Sequence, residues 1–186
     1  MLRYKNGYGV KMRKLAFILC GAALIFTGES LTGQGLSGRR APSFALPDST
    51  LKAYDILDYR GRWLLLDFMK TDCPGCKALT KTLEGIKTRL GAKVAVLSVV
   101  EPPDNTATAA KYAAETKTTI PILFDSSQTA IFYFKATPQR PSFDTPHLFA
   151  IDPNGMIVQD WSEGALGSAN FPNELEQLVK GAAAKK

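Results

Sequence analysis

The chain has 186 residues, 45% of them apolar, which allows one ordinary hydrophobic core and an appendage. Its formal net charge of +6 invites a nucleic-acid partner, but residues 1–33 hold five basic side chains against the single acid Glu29. The remainder carries 18 basic and 16 acidic side chains and no basic stripe interleaved with aromatics, which argues against nucleic acid.

In chain order, Lys11-Met12-Arg13-Lys14 precedes the apolar run Leu15–Phe26. A basic patch followed by about a dozen apolar residues has the make-up of a secretory signal. It is short for a membrane-spanning helix, which needs about 20 residues. Residues 1–33 are therefore expected to be a signal peptide or membrane-anchor leader, with a buried N-terminal helix as the alternative and Cys20 as a candidate for lipid attachment. Export would place the protein outside the cytosol, periplasmic or anchored facing outward, where dithiols and disulfides interconvert. Beyond the leader only Cys73 and Cys76 remain, too few for a disulfide framework, so the pair is expected to act rather than staple.

Residues 34–40 (Gln-Gly-Leu-Ser-Gly-Arg-Arg) resemble a flexible linker. A domain over 41–180 and a tail over 181–186 complete the organisation. Ala41–Asp48 is expected to hold a short edge strand bounded by prolines, and Tyr54–Tyr59 to be a helical turn. Trp63–Phe68 is almost continuously apolar, as in a strand covered on both faces. From Pro74 the period changes: Leu79, Leu83, Ile86 and Leu90 make the stripe of a helix that Gly91 ends. Val94–Val100 is a second buried strand, so a βαβ unit with a parallel pair is expected. Asp104 is a candidate N-cap for a helix over Ala107–Thr116. A short strand at Pro121–Phe124, a helix at Gln128–Phe134 and a loop from Lys135 to Pro146 follow. His147–Ile151 and Met156–Trp161 are expected strands joined by the turn Asp152-Pro153-Asn154-Gly155, and Pro172–Lys180 a last amphipathic helix.

The chemistry centres on Cys73-Pro74-Gly75-Cys76. At the N-cap, Cys73 would meet free backbone N–H groups that favour a thiolate, with Pro74 at the first helical position. Cys76, three residues on, would lie on the same face and could attack a mixed disulfide formed at Cys73. Lys70 and Lys77 would assist the thiolate and Asp72 oppose it. Asp67 interrupts an apolar strand; a buried acid there takes up a proton and could exchange it with Cys76, whereas a solvated or lysine-paired acid would be inert. Thr145-Pro146-His147 opens a later strand, with a cis bond as one option for Pro146. His147, the only histidine, is either structural or a third soft ligand. Zinc needs four ligands where Cys73, Cys76 and His147 give three, and Lys77 stands where covalent haem would need histidine. No metal or cofactor is therefore expected.

These residues resemble the thioredoxin superfamily. Trp63–Cys76 resembles its strand, buried acid and active-site helix, and Thr145-Pro146 with the following strand and turn resembles its cis-proline segment. Ala41–Leu46 and the extra segment from about Pro102 to Phe134 resemble the exported TlpA/ResA-like, AhpC/TSA-type branch. The resemblance implies an α/β, thioredoxin-like fold: a central mixed β-sheet flanked by helices, with an N-terminal extension and an inserted αβ segment. It implies thiol–disulfide exchange through a redox-active Cys73–Cys76 pair, with Asp67 assisting and Thr145 and Pro146 binding substrate. Its implied partners are disulfide-containing exported proteins, apocytochrome c among the candidates, and an upstream dithiol electron donor; the leader would allow membrane association. Asp72 replaces the aromatic residue usual before the first cysteine, and the Pro-Gly spacer is uncommon. Lys70 stands where peroxiredoxins resemble one another in a threonine. A thiol peroxidase and a non-catalytic copper-binding or redox-partner module using Cys73, Cys76 and His147 are the alternatives.

Overall fold

The computed structural model describes residues 35–183; the leader and Cys20 lie outside them. Its elements are β1 (Arg39–Arg40), β2 (Ala45–Pro47), β3 (Ala53–Asp55), a 3-10 turn (Ile56–Tyr59), β4 (Trp63–Phe68), α1 (Pro74–Leu90) and β5 (Val94–Val100). After them come α2 (Thr106–Thr116), β6 (Ile122–Phe124), α3 (Gln128–Phe134), β7 (His147–Ile151), β8 (Met156–Ser162), α4 (Glu163–Leu166) and α5 (Phe171–Ala183). Six strands form one mixed sheet in the order β1-β8-β7-β4-β5-β6. β4, β5 and β6 run parallel, whereas β7 pairs antiparallel with both β4 and β8.

β4 explains its own position. All six of its residues are buried, which requires cover on both faces, and alternation divides them between two cores. Leu64, Leu66 and Phe68 point into a cluster with Tyr133, Phe149 and Phe44. Trp63 and Leu65 point to the other face, against Leu79, Leu83 and Ile86 of α1 and Leu175 and Val179 of α5. Each fully buried aliphatic side chain contributes roughly 1.5–3 kcal/mol, so the stripe on α1 fixes that helix over the sheet.

Most expected elements appear within a residue or two of their sequence bounds; the differences lie where long-range pairing decides. Arg39 and Arg40, expected within the linker, pair with Ile157 and Met156 as an edge strand, and Gly38 N–H donates to Ile157 O at 2.8 Å. Ala45–Pro47 pairs not with the main sheet but with Ala53–Asp55 in a two-stranded ribbon. Asp104 is not the cap of α2. Asn105 is, accepting from Ala107 and Thr108 N–H, with Thr108 completing a capping box. The last helix continues to Ala183, into the segment expected to be tail. Among the described residues no helix is long and apolar enough to cross a membrane.

Candidate active site

The loop after β4 delivers the cysteines to the start of α1. Met69 N–H donates to Val99 O at 3.0 Å, continuing the sheet by one residue. Thr71 is then clamped by Asp104: its N–H donates to Oδ2 at 3.0 Å and its hydroxyl to Oδ1. That is the work of the residue expected to cap α2. Cys73 is the N-cap of α1, with extended backbone (φ −87°, ψ 117°), and Pro74 opens the helix where its missing N–H leaves no bond unmade. Cys73 Sγ accepts the N–H of Cys76 at 3.1 Å. Both cysteines are free thiols, Cys73 partly exposed and Cys76 wholly buried.

Asp67 lies on β4 between Ser98 of β5 and Leu148 of β7. It shares the face of Trp63 and Leu65, beneath α1. It is fully buried, Ser98 Oγ donates to its Oδ2 at 3.3 Å, and its Oδ1 has no partner. Burial pushes its carboxyl up to about 7, the Ser98 bond only partly opposing this. Cys76 is raised as well, first by burial, then by its bond with Cys73 and by the charge of Asp67. The acid and the inner thiol are thus both buried, and a charge on Asp67 disfavours ionisation of Cys76.

The bond between Thr145 and Pro146 is cis. Gly75 lets Pro146 approach the dithiol: a Cβ there would lie 3.5 Å from Pro146 Cδ, 3.8 Å from Cys73 Sγ and 3.3 Å from Glu163 Oε1. Two concavities flank this meeting point. One, of about 400 Å³, is lined by Gly75, Leu79, Pro146, Glu163 and Leu166. The other, of about 210 Å³, is lined by Lys70, Glu101, Phe143 and Thr145.

The structure thus brings together Cys73, Cys76, Asp67 and Pro146, with Thr145 beside them. It does not add His147. That side chain faces the opposite layer, its ring 4.7 Å from Phe149 and 5.0 Å from Phe134, and Nε2 is 3.0 Å from Asp160 Oδ2. Among the described residues no three histidine, cysteine or acidic side chains group as metal ligands. Lys77 pairs with Glu115 at 2.7 Å rather than standing free for the sulfur. Glu163, Thr80 and Tyr112 were not singled out in the sequence. Glu163 and Tyr112 reach the site through tertiary packing and Thr80 by standing one helical turn beyond Cys76, and no local motif marks them.

A βαβ unit with a dithiol at the head of its helix, a buried acid beneath and a cis-proline opposite defines a thioredoxin-like redox protein. The chain belongs to the AhpC/TSA family, whose model matches residues 37–160. It is 28% identical over 177 residues to the thiol-disulfide oxidoreductase ResA of Geobacillus thermodenitrificans, covering 90% of this chain and 94% of that one. Among solved structures it resembles a putative thiol:disulfide interchange protein DsbE from Chlorobium tepidum, with a TM-score of 0.65, 24% identity and 78% and 96% of the two chains covered. It also resembles a secreted Mycobacterium tuberculosis disulfide oxidoreductase homologous to E. coli DsbE, with a TM-score of 0.59, 14% identity and 74% and 95% covered.

Proposed function

We propose that this chain is an extracytoplasmic thiol–disulfide oxidoreductase that reduces or exchanges disulfides in other exported proteins. The observation that carries the reading is the asymmetry of the pair: Cys73 is open to a partner, while Cys76 is enclosed beside an acid with a raised pKa. The thiolate of Cys73 attacks a client disulfide; the client S–S bond breaks, a mixed disulfide forms, and the leaving client sulfur takes up a proton. Cys76 passes its proton to ionised Asp67 and attacks Cys73 Sγ. The second client sulfur leaves as a thiolate, and Cys73–Cys76 becomes the disulfide. Two electrons have moved to the client, and an upstream dithiol donor restores the pair. Thr145 and Pro146 edge the place where the client main chain would lie. The basic-then-apolar make-up of residues 11–26 supports export, with the leader either cleaved or retained as a membrane tether.

Insulin-disulfide reduction by the wild type, Cys73→Ser and Cys76→Ser tests this. The wild type is expected to reduce insulin, and both variants to fail. Absence of exchange by the wild type would overturn the reading, and peroxide turnover surviving Cys76→Ser would redirect it to a thiol peroxidase.

A further inference from the structure

Behind Cys76 lies a pair of hydroxyls to which the exchange reaction gives no task. Thr80 stands one helical turn beyond Cys76 on α1, on the same face. Tyr112 reaches it from α2, with Thr80 Oγ1 and Tyr112 Oη 2.6 Å apart and both residues 1% exposed. Tyr112 also packs with Cys76, Met69 and Val100 in a small core that Cys73, Ile122 and Phe124 border. Two hydroxyls supply two hydrogens, and their mutual bond uses one. The second has no acceptor among the hydrogen bonds of the described residues. A buried polar hydrogen left unpaired is costly, so an intermittent acceptor is expected nearby. Cys76 of α1 and Cys73 at its N-cap pack with the phenol, and the charge of Asp67 on β4 also bears on it; β5 and β6 present Val100, Ile122 and Phe124 to this core.

We propose that the Thr80–Tyr112 pair holds one hydroxyl hydrogen in reserve for the Cys76 sulfur and donates it as a hydrogen bond when that sulfur becomes anionic to resolve the mixed disulfide. This rests on the assignment of Cys76 as the resolving thiol. No bond to hydrogen is broken in the pair: the Cys76 proton goes to Asp67, and the hydroxyl solvates the negative charge that burial disfavours. Hydrogen bonds to charged groups are the stronger kind, so a single hydroxyl in a dry site has a measurable effect. It also gives the inserted helix α2 a part in the chemistry, since α2 carries Tyr112.

The test loads the full chain with thionitrobenzoate as a mixed disulfide on Cys73 and follows release of the coloured thiol by Cys76 from about pH 5 to about pH 9. Tyr112→Phe is expected to slow release by about tenfold or more and to move the rising limb to higher pH, while formation of the mixed disulfide keeps its wild-type rate. Thr80→Val is expected to act in the same direction, and the double variant to be slower than either, because each single variant keeps one hydroxyl hydrogen. Thr80→Val also carries the test if Tyr112→Phe does not fold. A folded Tyr112→Phe or Thr80→Val with wild-type rate and pH profile overturns the proposal alone. A wild type that releases no thiol overturns the exchange reading and the proposal with it.

Discussion

Asp67 and Asp160 are both acids on central strands, with opposite responses to pH. Asp67 has one weak donor and one bare oxygen, so burial wins and its carboxyl rises to about 7. The folded protein then holds a proton that the unfolded chain has lost, and stability falls as pH rises from about 4 to about 7. Asp67→Asn is expected to flatten that slope in urea midpoints measured against pH. The same substitution is expected to remove the rise in resolution rate through about pH 7, because in the proposed exchange only ionised Asp67 can take the Cys76 proton. Asp160 is also opposed by burial, but the bonds from His147 and Ser37 outweigh it and hold its pKa down. Its contribution is present above the ordinary carboxylate range and is lost as pH falls through the lowered value. Asp160→Asn is expected to weaken the dependence of stability on pH on the acid side, with insulin reduction near neutrality unchanged; loss of exchange would show that His147 and Asp160 serve the dithiol after all.

Neighbouring residues can serve different elements. Asn105→Ala removes the cap of α2 and is expected to lower stability by about 1 kcal/mol with little change in exchange rate. Asp104→Ala releases Thr71, two residues before Cys73, and is expected to slow attack by Cys73 more than it lowers the unfolding midpoint. Equal kinetic effects of the two would contradict that division. Leu83, wholly buried on the sheet-facing side of α1, is expected to cost about 2–5 kcal/mol on substitution by alanine, read from chemical denaturation. The long elements were legible in the sequence because their patterns are self-sufficient: β4 and β5 are continuous apolar runs, and α1 has its stripe, its proline and its glycine. The two- and three-residue strands β1 and β3 were not, because a segment that short is a strand only by virtue of its partner. The choice of Asn105 over Asp104 likewise depended on Thr71 lying 33 positions upstream of Asp104.

For the whole molecule, one end of the sheet gathers what the sequence scatters. Cys73 and Cys76 come from α1, Asp67 from β4, Pro146 from the approach to β7, Glu163 from α4 and Tyr112 from the inserted α2. The cysteine pair, the acid and the Thr145-Pro146 segment are legible in the sequence as candidates because each has a position in a recognisable motif. Glu163 and Tyr112 could not, since in one dimension they are an exposed acid after a strand and one apolar position on an ordinary helix. For His147 the sequence leaves a structural and a ligand role open, and packing against Phe134, Phe149 and Asp160 gives it the structural one. All these contributions meet in the unequal exposure of the two sulfurs, from which their proposed unequal roles follow. The most direct measurement offers a disulfide-bonded peptide to Cys76→Ser and to Cys73→Ser and identifies the adducts by mass spectrometry. A stable mixed disulfide on Cys73 in the first variant and none on Cys76 in the second is the expected result. Equal capture by both sulfurs, or capture by Cys76 alone, would contradict it.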